Sequence, residues 1–245
     1  MDFTYESYGK LLSKLCDLKY DFANYHNWSD KEKCVILRHD IDFDVSKARQ
    51  MAEFEKSKGI NSTYFVLLTS DFYNVFSKQT RDELLHIVSM GHDIGLHFDE
   101  TCYSGLSGDE IKDKIICECR LLGEAVERSI TTVSMHRPSE YILEADISIP
   151  NIVNSYSSIF FKQFKYISDS RMRWREPVDQ VIQSCKYNRI HILTHAFWYS
   201  NEERKLYDIL CKFIEESKYE RYLALNSNFT DLKTVISEKE VCRCE

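Results

Sequence analysis

Val35-Ile36-Leu37-Arg38-His39-Asp40-Ile41-Asp42 is an apolar run that ends abruptly in a histidine and two carboxylates spaced two apart. Strand side chains alternate between the two faces, so a strand through this run sends Asp40 and Asp42 out on the same side. Two acids at the end of a buried strand waste hydrophobic burial unless they line a site. In strand-helix architectures such sites lie at the carboxyl ends of the strands. The stretch therefore predicts an α/β architecture with metal binding or acid/base chemistry at the end of this strand.

Working outward, short β-rich runs alternate with amphipathic helical runs, the mark of a parallel sheet covered by helices. Strands are expected at 35–39, 63–68, 93–98, 132–136, 152–156, 166–169 and 189–195. That is about seven, close to a barrel count but not securely eight. Between them, 45–58 carries Val45, Ala48, Met51, Ala52 and Phe54 at helical spacing and ends at Gly59, with Asp44 placed to cap it. Thr80-Arg81-Asp82-Glu83, Ser107-Gly108-Asp109-Glu110 and Ser200-Asn201-Glu202-Glu203 each match a capping box. They predict helices running to about Met90, Arg128 and Glu216. The segment 4–18 reads as an extra helix before the first strand.

A chain of 245 residues with 43% hydrophobic content can bury a sizeable core and suits one barrel or one open α/β sheet. Three prolines and seven glycines, with no low-complexity stretch and no repeat, mark no boundary. A single domain over 1–245 is expected, with 1–30 as a helical extension, 31–200 as the core and 201–245 as a last helix and tail. The net charge of -7 argues against nucleic acid as a partner. No apolar run approaches a membrane span and the amino terminus lacks a basic start and apolar core, so a cytoplasmic location is expected. The nine cysteines, an odd number in a large chain, read as reduced thiols of structural or incidental role, including Cys242 and Cys244 in the tail.

The predicted strand ends collect Asp40 and Asp42, His97 and Asp99, His136 and Arg137, Asp169, and His195. Strand ends on one side of a parallel sheet are spatial neighbours, so these groups can converge on one pocket. Carboxylate and imidazole together suit zinc, iron, manganese or a related divalent ion, which renders a water nucleophilic near neutral pH. His39 favours a packed histidine with one hydrogen bond over a place in the site, and His92 favours a structural contact. His26, His86 and His191 read as ordinary surface or core residues. Adjacent His39 and Asp40 also invite comparison with metal phosphohydrolases, but those carry the pair on helices, and the β-branched Val35 and Ile36 favour a strand.

The order of these elements resembles the polysaccharide deacetylase superfamily, the family 4 carbohydrate esterases, over roughly 35–200. The family's Thr-Phe-Asp-Asp-Gly motif looks like Arg38-His39-Asp40-Ile41-Asp42, with one residue separating the acids. Its Gly-His-Glu-Ile-Gly-x-His run looks like Gly91-His92-Asp93-Ile94-Gly95-Leu96-His97, but the histidine usually found four residues on is Thr101 here. Its Arg-x-Pro-x-Gly motif is similar in part to His136-Arg137-Pro138-Ser139. Ser168-Asp169-Ser170-Arg171 with Trp174 falls where the family has an acid and an aromatic wall. Ile192-Leu193-Thr194-His195 looks like its Leu-x-His motif, followed by Ala196-Phe197-Trp198-Tyr199.

The resemblance implies an irregular (β/α)7-type barrel and a metal-dependent hydrolase that removes acyl groups, acetyl above all, from a sugar or sugar precursor. Surface-polysaccharide biosynthesis is one setting. It implies Asp40 as general base, an assignment open to exchange with Asp42, and Asp42 and His97 as metal ligands. Asp99 or His136 supplies the missing ligand. Arg137 would orient the base, His195 would be the general acid with Asp169 as its neighbour, and Trp198 and Trp174 would face the sugar. The cofactor would be a divalent metal, zinc first, with nickel, cobalt, iron or manganese as alternatives. The substrate would be an acylated sugar, nucleotide-linked or lipid-linked. The rival reading is an inactive barrel of the same kind that binds a sugar or a partner, since fold does not fix function.

Overall fold

Residues 34–41 are buried along their whole length, and a strand covered on both faces must sit inside a parallel sheet. The computed structural model, which describes residues 1–103 and 105–241, places it there. This strand, β2 (Cys34–Ile41), follows α1 (Tyr5–Asp17) and a short strand β1 (Asp21–Ala23). The chain continues through α2 (Val45–Ser57), β3 (Thr63–Val66), α3 (Lys78–Ser89), β4 (Asp93–Phe98), α4 (Gly108–Val126) and β5 (Thr132–Met135). Then come α5 (Glu140–Glu144), β6 (Val153–Asn154), α6 (Ser158–Lys162), β7 (Lys165–Ser168), α7 (Val178–Gln183) and β8 (Arg189–Thr194).

All pairings among these strands are parallel, in the order β6-β5-β4-β3-β2-β8-β7. The seven strands form a curled half-barrel. The unpredicted β1 pairs with Cys34, Val35 and Ile36, below the stretch of β2 that pairs with β3. Three residues are too few to show a period, which is why this strand is silent in the sequence.

Alternation along β2 sorts its side chains. Cys34 and Ile36 join Ala23, Tyr25, Phe65, Phe160 and Phe164 in a plug at the bottom of the curl. Arg38 and Asp40 continue the same face upward. Gly95 on β4 makes room for this column, because a Cβ there would collide with the Phe65 ring and lie 2.8 Å from Thr132 Oγ1. Phe65 in turn lies 5.1 Å beneath the Arg38 guanidinium.

Two of the three expected capping boxes correct to other starts. α3 begins at Ser77, whose hydroxyl accepts from Thr80 N, so Thr80 lies within its first turn. The last helix, α8 (Leu206–Asn228), starts after Lys205 with no side-chain cap. Ser200 cannot cap it, because its backbone bridges to Thr4. The Ser107 box forms as read, and Thr4 and Asp44 cap α1 and α2.

Residues Met1–Asn201 make one compact unit and those from Glu202 onward a second. In the second, α8 is followed by α9 (Leu232–Val235) and α10 (Glu238–Val241), and Tyr219 donates to Glu238 at 2.8 Å. Among the described residues no helix is long and apolar enough to cross a membrane, and no cysteine is disulfide-bonded. Cys242 and Cys244 lie outside the described residues.

Candidate active site

Asp40 ends the inward column of β2, and its charge is balanced from the same strand. Arg38 is 1% exposed and donates through Nε to Asp40 Oδ1 at 3.2 Å and through Nη2 to Oδ2 at 2.6 Å. The same guanidinium donates to Ser134 Oγ on β5 at 2.5 Å and to Ser155 Oγ, just past β6, at 3.0 Å. A buried guanidinium is tolerable only when paired and hydrogen-bonded, and this one makes four such bonds, two of them to a carboxylate. Burial pushes the Asp40 carboxyl up, but Arg38, His97 and His195 outweigh it and hold the pKa below the ordinary value.

The expected partner of Asp40 is therefore corrected. Arg137 follows β5 with its backbone in the left-handed region (φ 49°), its side chain is 74% exposed, and it faces Asp99 at 3.5 Å. Arg38 does the orienting instead.

Above Asp40, three ligand-type groups meet. His97 Nε2 and His136 Nδ1 lie 3.3 and 3.4 Å from Asp42 Oδ1, and 3.1 Å from each other. Ligands about 2.0–2.1 Å from a tetrahedral ion sit roughly 3.3 Å apart, so these three atoms have the spacing of one face of such a site. Asp42 Oδ1 is buried yet accepts no hydrogen bond. Burial raises the Asp42 carboxyl, and the His136 and His97 imidazoles override that and hold it well below the usual range. An orphaned carboxylate oxygen facing two imidazole nitrogens fits a divalent cation. Among the described residues this is the one cluster of three such groups with metal-ligand spacing.

Asp99 does not enter it. Its Oδ1 accepts from Thr101 N at 3.0 Å and Thr101 Oγ1 at 2.7 Å, and its other oxygen faces Arg137. Thr101, where the resembled family has a histidine, thus ties Asp99 into the loop, and His136 stands in the space beside His97.

On the other side, His195 follows β8 and Asp169 follows β7. His195 Nδ1 lies 2.7 Å from Asp169 Oδ1, and Asp169 also accepts the His195 backbone N–H and the Tyr199 hydroxyl. His195 Nε2 is left facing Asp42 Oδ2 at 3.8 Å. Burial disfavours the imidazolium, but Asp169, with Asp42 and Asp40 behind it, lifts the pKa to about 9.

The two tryptophans are set back. Trp198 is 6% exposed, its ring 6.3 Å from that of His195 and 5.9 Å from that of Phe43. Trp174 stacks on Phe3 at 6.5 Å. The exposed aromatic beside this group is Phe72, 5.2 Å from Phe43 and 56% exposed.

His39 points away from the site to the helix side of the sheet, where it bonds Thr194 Oγ1 at 2.5 Å and Glu55 Oε1 at 2.8 Å. His92 accepts from Ser62 N and bonds the Ala52 carbonyl. Arg38 and Tyr199 were missed in the sequence. Arg38 was within reach, because the period-two rule that aligns Asp40 with Asp42 aligns Arg38 with both. Tyr199 carries no local signal.

No family model matches the sequence, and no curated protein matches it. Solved structures do. The Xyl-CE4 domain of a multidomain xylanase from the hindgut metagenome of Trinervitermes trinervoides is 16% identical over 78% of this chain and 85% of its own, with a TM-score of 0.45. The Bc1960 peptidoglycan N-acetylglucosamine deacetylase is 16% identical over 81% and 92%, with a TM-score of 0.44. A mutant of BA3943, described as a CE4 family pseudoenzyme with restored activity, is 16% identical over 77% of this chain, with a TM-score of 0.42. The chain spans 64% of that protein's length. The wild-type BA3943 is from Bacillus anthracis.

Proposed function

We propose that the chain is a metal-dependent hydrolase that removes an acyl group, acetyl first among them, from a sugar or sugar precursor. One observation carries this reading: Asp42, His97 and His136 converge between a clamped carboxylate, Asp40, and a carboxylate-backed imidazole, His195. The donor set of two imidazoles and a carboxylate suits zinc, and nickel, cobalt, iron or manganese can take the same donors. A divalent ion bound there would supply Lewis acidity toward the acyl carbonyl and a water.

The chain's own residues do the rest. Asp40, ionised and held by Arg38, accepts a proton from the water whose oxygen bonds to the acyl carbon. His195 gives its Nε2 proton to the leaving nitrogen or oxygen as the bond to the acyl carbon breaks. Asp169 and Tyr199 fix the ring so that Nε2 faces the site, and the Asp169 carboxylate behind it favours the charged imidazole, the form an acid needs.

Metal per chain, by elemental analysis of the purified protein, tests the reading together with turnover of N-acetylated and O-acetylated sugars. Stoichiometric metal is expected, lost in Asp42→Ala, His97→Ala and His136→Ala, with turnover lost in Asp40→Asn. A folded chain that takes up no metal under any loading overturns it.

A further inference from the structure

The loop that follows Asp169 is basic in a protein of net charge -7, and the mechanism above makes no use of its charge. It reads Ser170-Arg171-Met172-Arg173-Trp174-Arg175 and leaves the carboxyl end of β7, the end that carries Asp169. Arg171, Arg173 and Arg175 are exposed. Among the described residues none of the three side chains has an acidic partner. The acids nearest in sequence are already engaged: Asp169 by His195 at 2.7 Å and Glu176 by Lys165 at 2.6 Å.

The loop is also held in one shape. Arg173 N donates to the Asp169 carbonyl at 3.1 Å and Arg175 N to the Ser168 carbonyl at 3.3 Å. Ser170 N donates to Ser168 Oγ at 3.2 Å, and Trp174 stacks on Phe3. Arg171 and Met172 both lie in the left-handed region, at φ 61° and 54°. Two consecutive non-glycine residues there are strained, and such strain persists where the surroundings fix it.

Guanidinium groups present planar forks that match phosphoryl oxygens two bonds at a time. A single carboxylate would leave most of a triply charged loop uncompensated, whereas a phosphate or diphosphate carries enough charge to engage it. Nucleic acid is a poor match for an acidic chain with one short basic loop.

We propose that Arg171, Arg173 and Arg175 bind a phosphoryl group carried by the substrate, so that the acylated sugar processed at Asp42 and His195 is a sugar phosphate or diphosphate conjugate. The inference rests on the hydrolase reading for the identity of the sugar, but not for the binding of phosphate. A nucleotide and a prenyl carrier present the same diphosphate.

The test is calorimetric titration of the full chain in the Asp42→Ala background with chelator present, so that no metal can hold the phosphate. The probes are inorganic pyrophosphate, UDP-N-acetylglucosamine, a soluble prenyl diphosphate and neutral N-acetylglucosamine. Pyrophosphate should bind, weaken as salt rises, and lose at least about tenfold in affinity in Arg171→Ala/Arg173→Ala/Arg175→Ala, a change of about 1.4 kcal/mol. The tighter of the two conjugates then identifies the carrier. Pyrophosphate that does not bind, or binds the triple variant equally, overturns the proposal, as does neutral sugar binding as tightly as both conjugates. Because these titrations contain no metal and no turnover, a failure of the hydrolase reading leaves their outcome legible.

Discussion

The strand β2 carries buried charge on both faces, and the two faces differ in how that charge is satisfied. On the helix side, Glu55 of α2 is 0% exposed. Its Oε1 accepts from Tyr8 at 2.6 Å and His39 at 2.8 Å, and its Oε2 from Ser62 at 2.5 Å and Tyr64 at 2.8 Å. On the inward side Asp40 takes two bonds from Arg38, but one level higher Asp42 Oδ1 is buried with no hydrogen-bond partner and faces the His97 and His136 imidazoles. A network with every lone pair used is a structural tie, joining α1, α2, β2 and β3. Buried polar atoms left unpaired cost free energy, and at Asp42 the unpaired oxygen faces two imidazole nitrogens at metal-ligand spacing. The contrast separates His39 from His97 better than residue type does.

The largest effect that would break this comparison is kinetic. Asp40→Asn and His195→Ala should each lower turnover by about 10²–10⁴-fold with the fold intact by circular dichroism. Glu55→Gln, assayed on the folded fraction, should lower it far less. A Glu55 variant as inactive as Asp40→Asn per folded molecule would show that the two faces do not divide the labour.

Stability should run the other way. Removing one partner of a fully buried charged network costs about 3–5 kcal/mol, so Glu55→Ala should lower the unfolding free energy by that amount, read as a lower denaturant midpoint at unchanged slope. In the metal-free protein Asp42→Ala should cost clearly less, because Asp42 is ionised beside two imidazoles but its Oδ1 accepts no hydrogen bond. Equal destabilisation by both would remove the distinction.

The acid limb sharpens it further. Burial alone would raise the Glu55 carboxyl, but the His39 and His92 imidazoles and the Ser62 hydroxyl hold its pKa at about 2, against 4.5 for an ordinary glutamate. A depressed folded-state value contributes stability that is complete above the unfolded value. It is lost as pH falls from about 4.5 through about 2, a contribution on the order of 3 kcal/mol. Chemical denaturation across that range should show a steep loss in the wild type that is much flatter in Glu55→Gln.

Much of this was readable in the sequence, and the reasons for the remainder are physical. The strand through Asp40, the parallel alternation and the carboxyl-end clustering follow from period-two patterning and composition, which the curled sheet obeys. Glu55 looks like a surface residue, because a lone acid in an amphipathic helix normally faces water, and its four donors come from three segments far apart in sequence. Arg137 carries the motif signal, while Arg38 is marked only by the period-two alternation that aligns it with Asp40 and Asp42. Which of Asp99 and His136 stands beside His97 depends on Thr101 capturing Asp99, a contact between side chains that spacing cannot weigh.

The smallest test applies the same rule of satisfaction at the surface. The capping-box pattern occurs at Thr80, Ser107 and Ser200, yet only at Ser107 do hydroxyl and carboxylate serve each other's backbone donors. At Ser107 the Glu110 carboxylate accepts from the Ser107 N–H at 2.8 Å, and the Ser107 hydroxyl accepts from Glu110 N at 3.4 Å. These groups are exposed, so water replaces whatever is lost, and Ser107→Ala should cost about 1 kcal/mol rather than the larger sum at Glu55. Ser77→Ala should cost a similar amount, because Ser77 is the residue that caps α3. If Ser107→Ala proved as damaging as Glu55→Ala, burial would not be what makes the network behind β2 strong. The unpaired atoms in front of it would then lose their meaning as a mark of function.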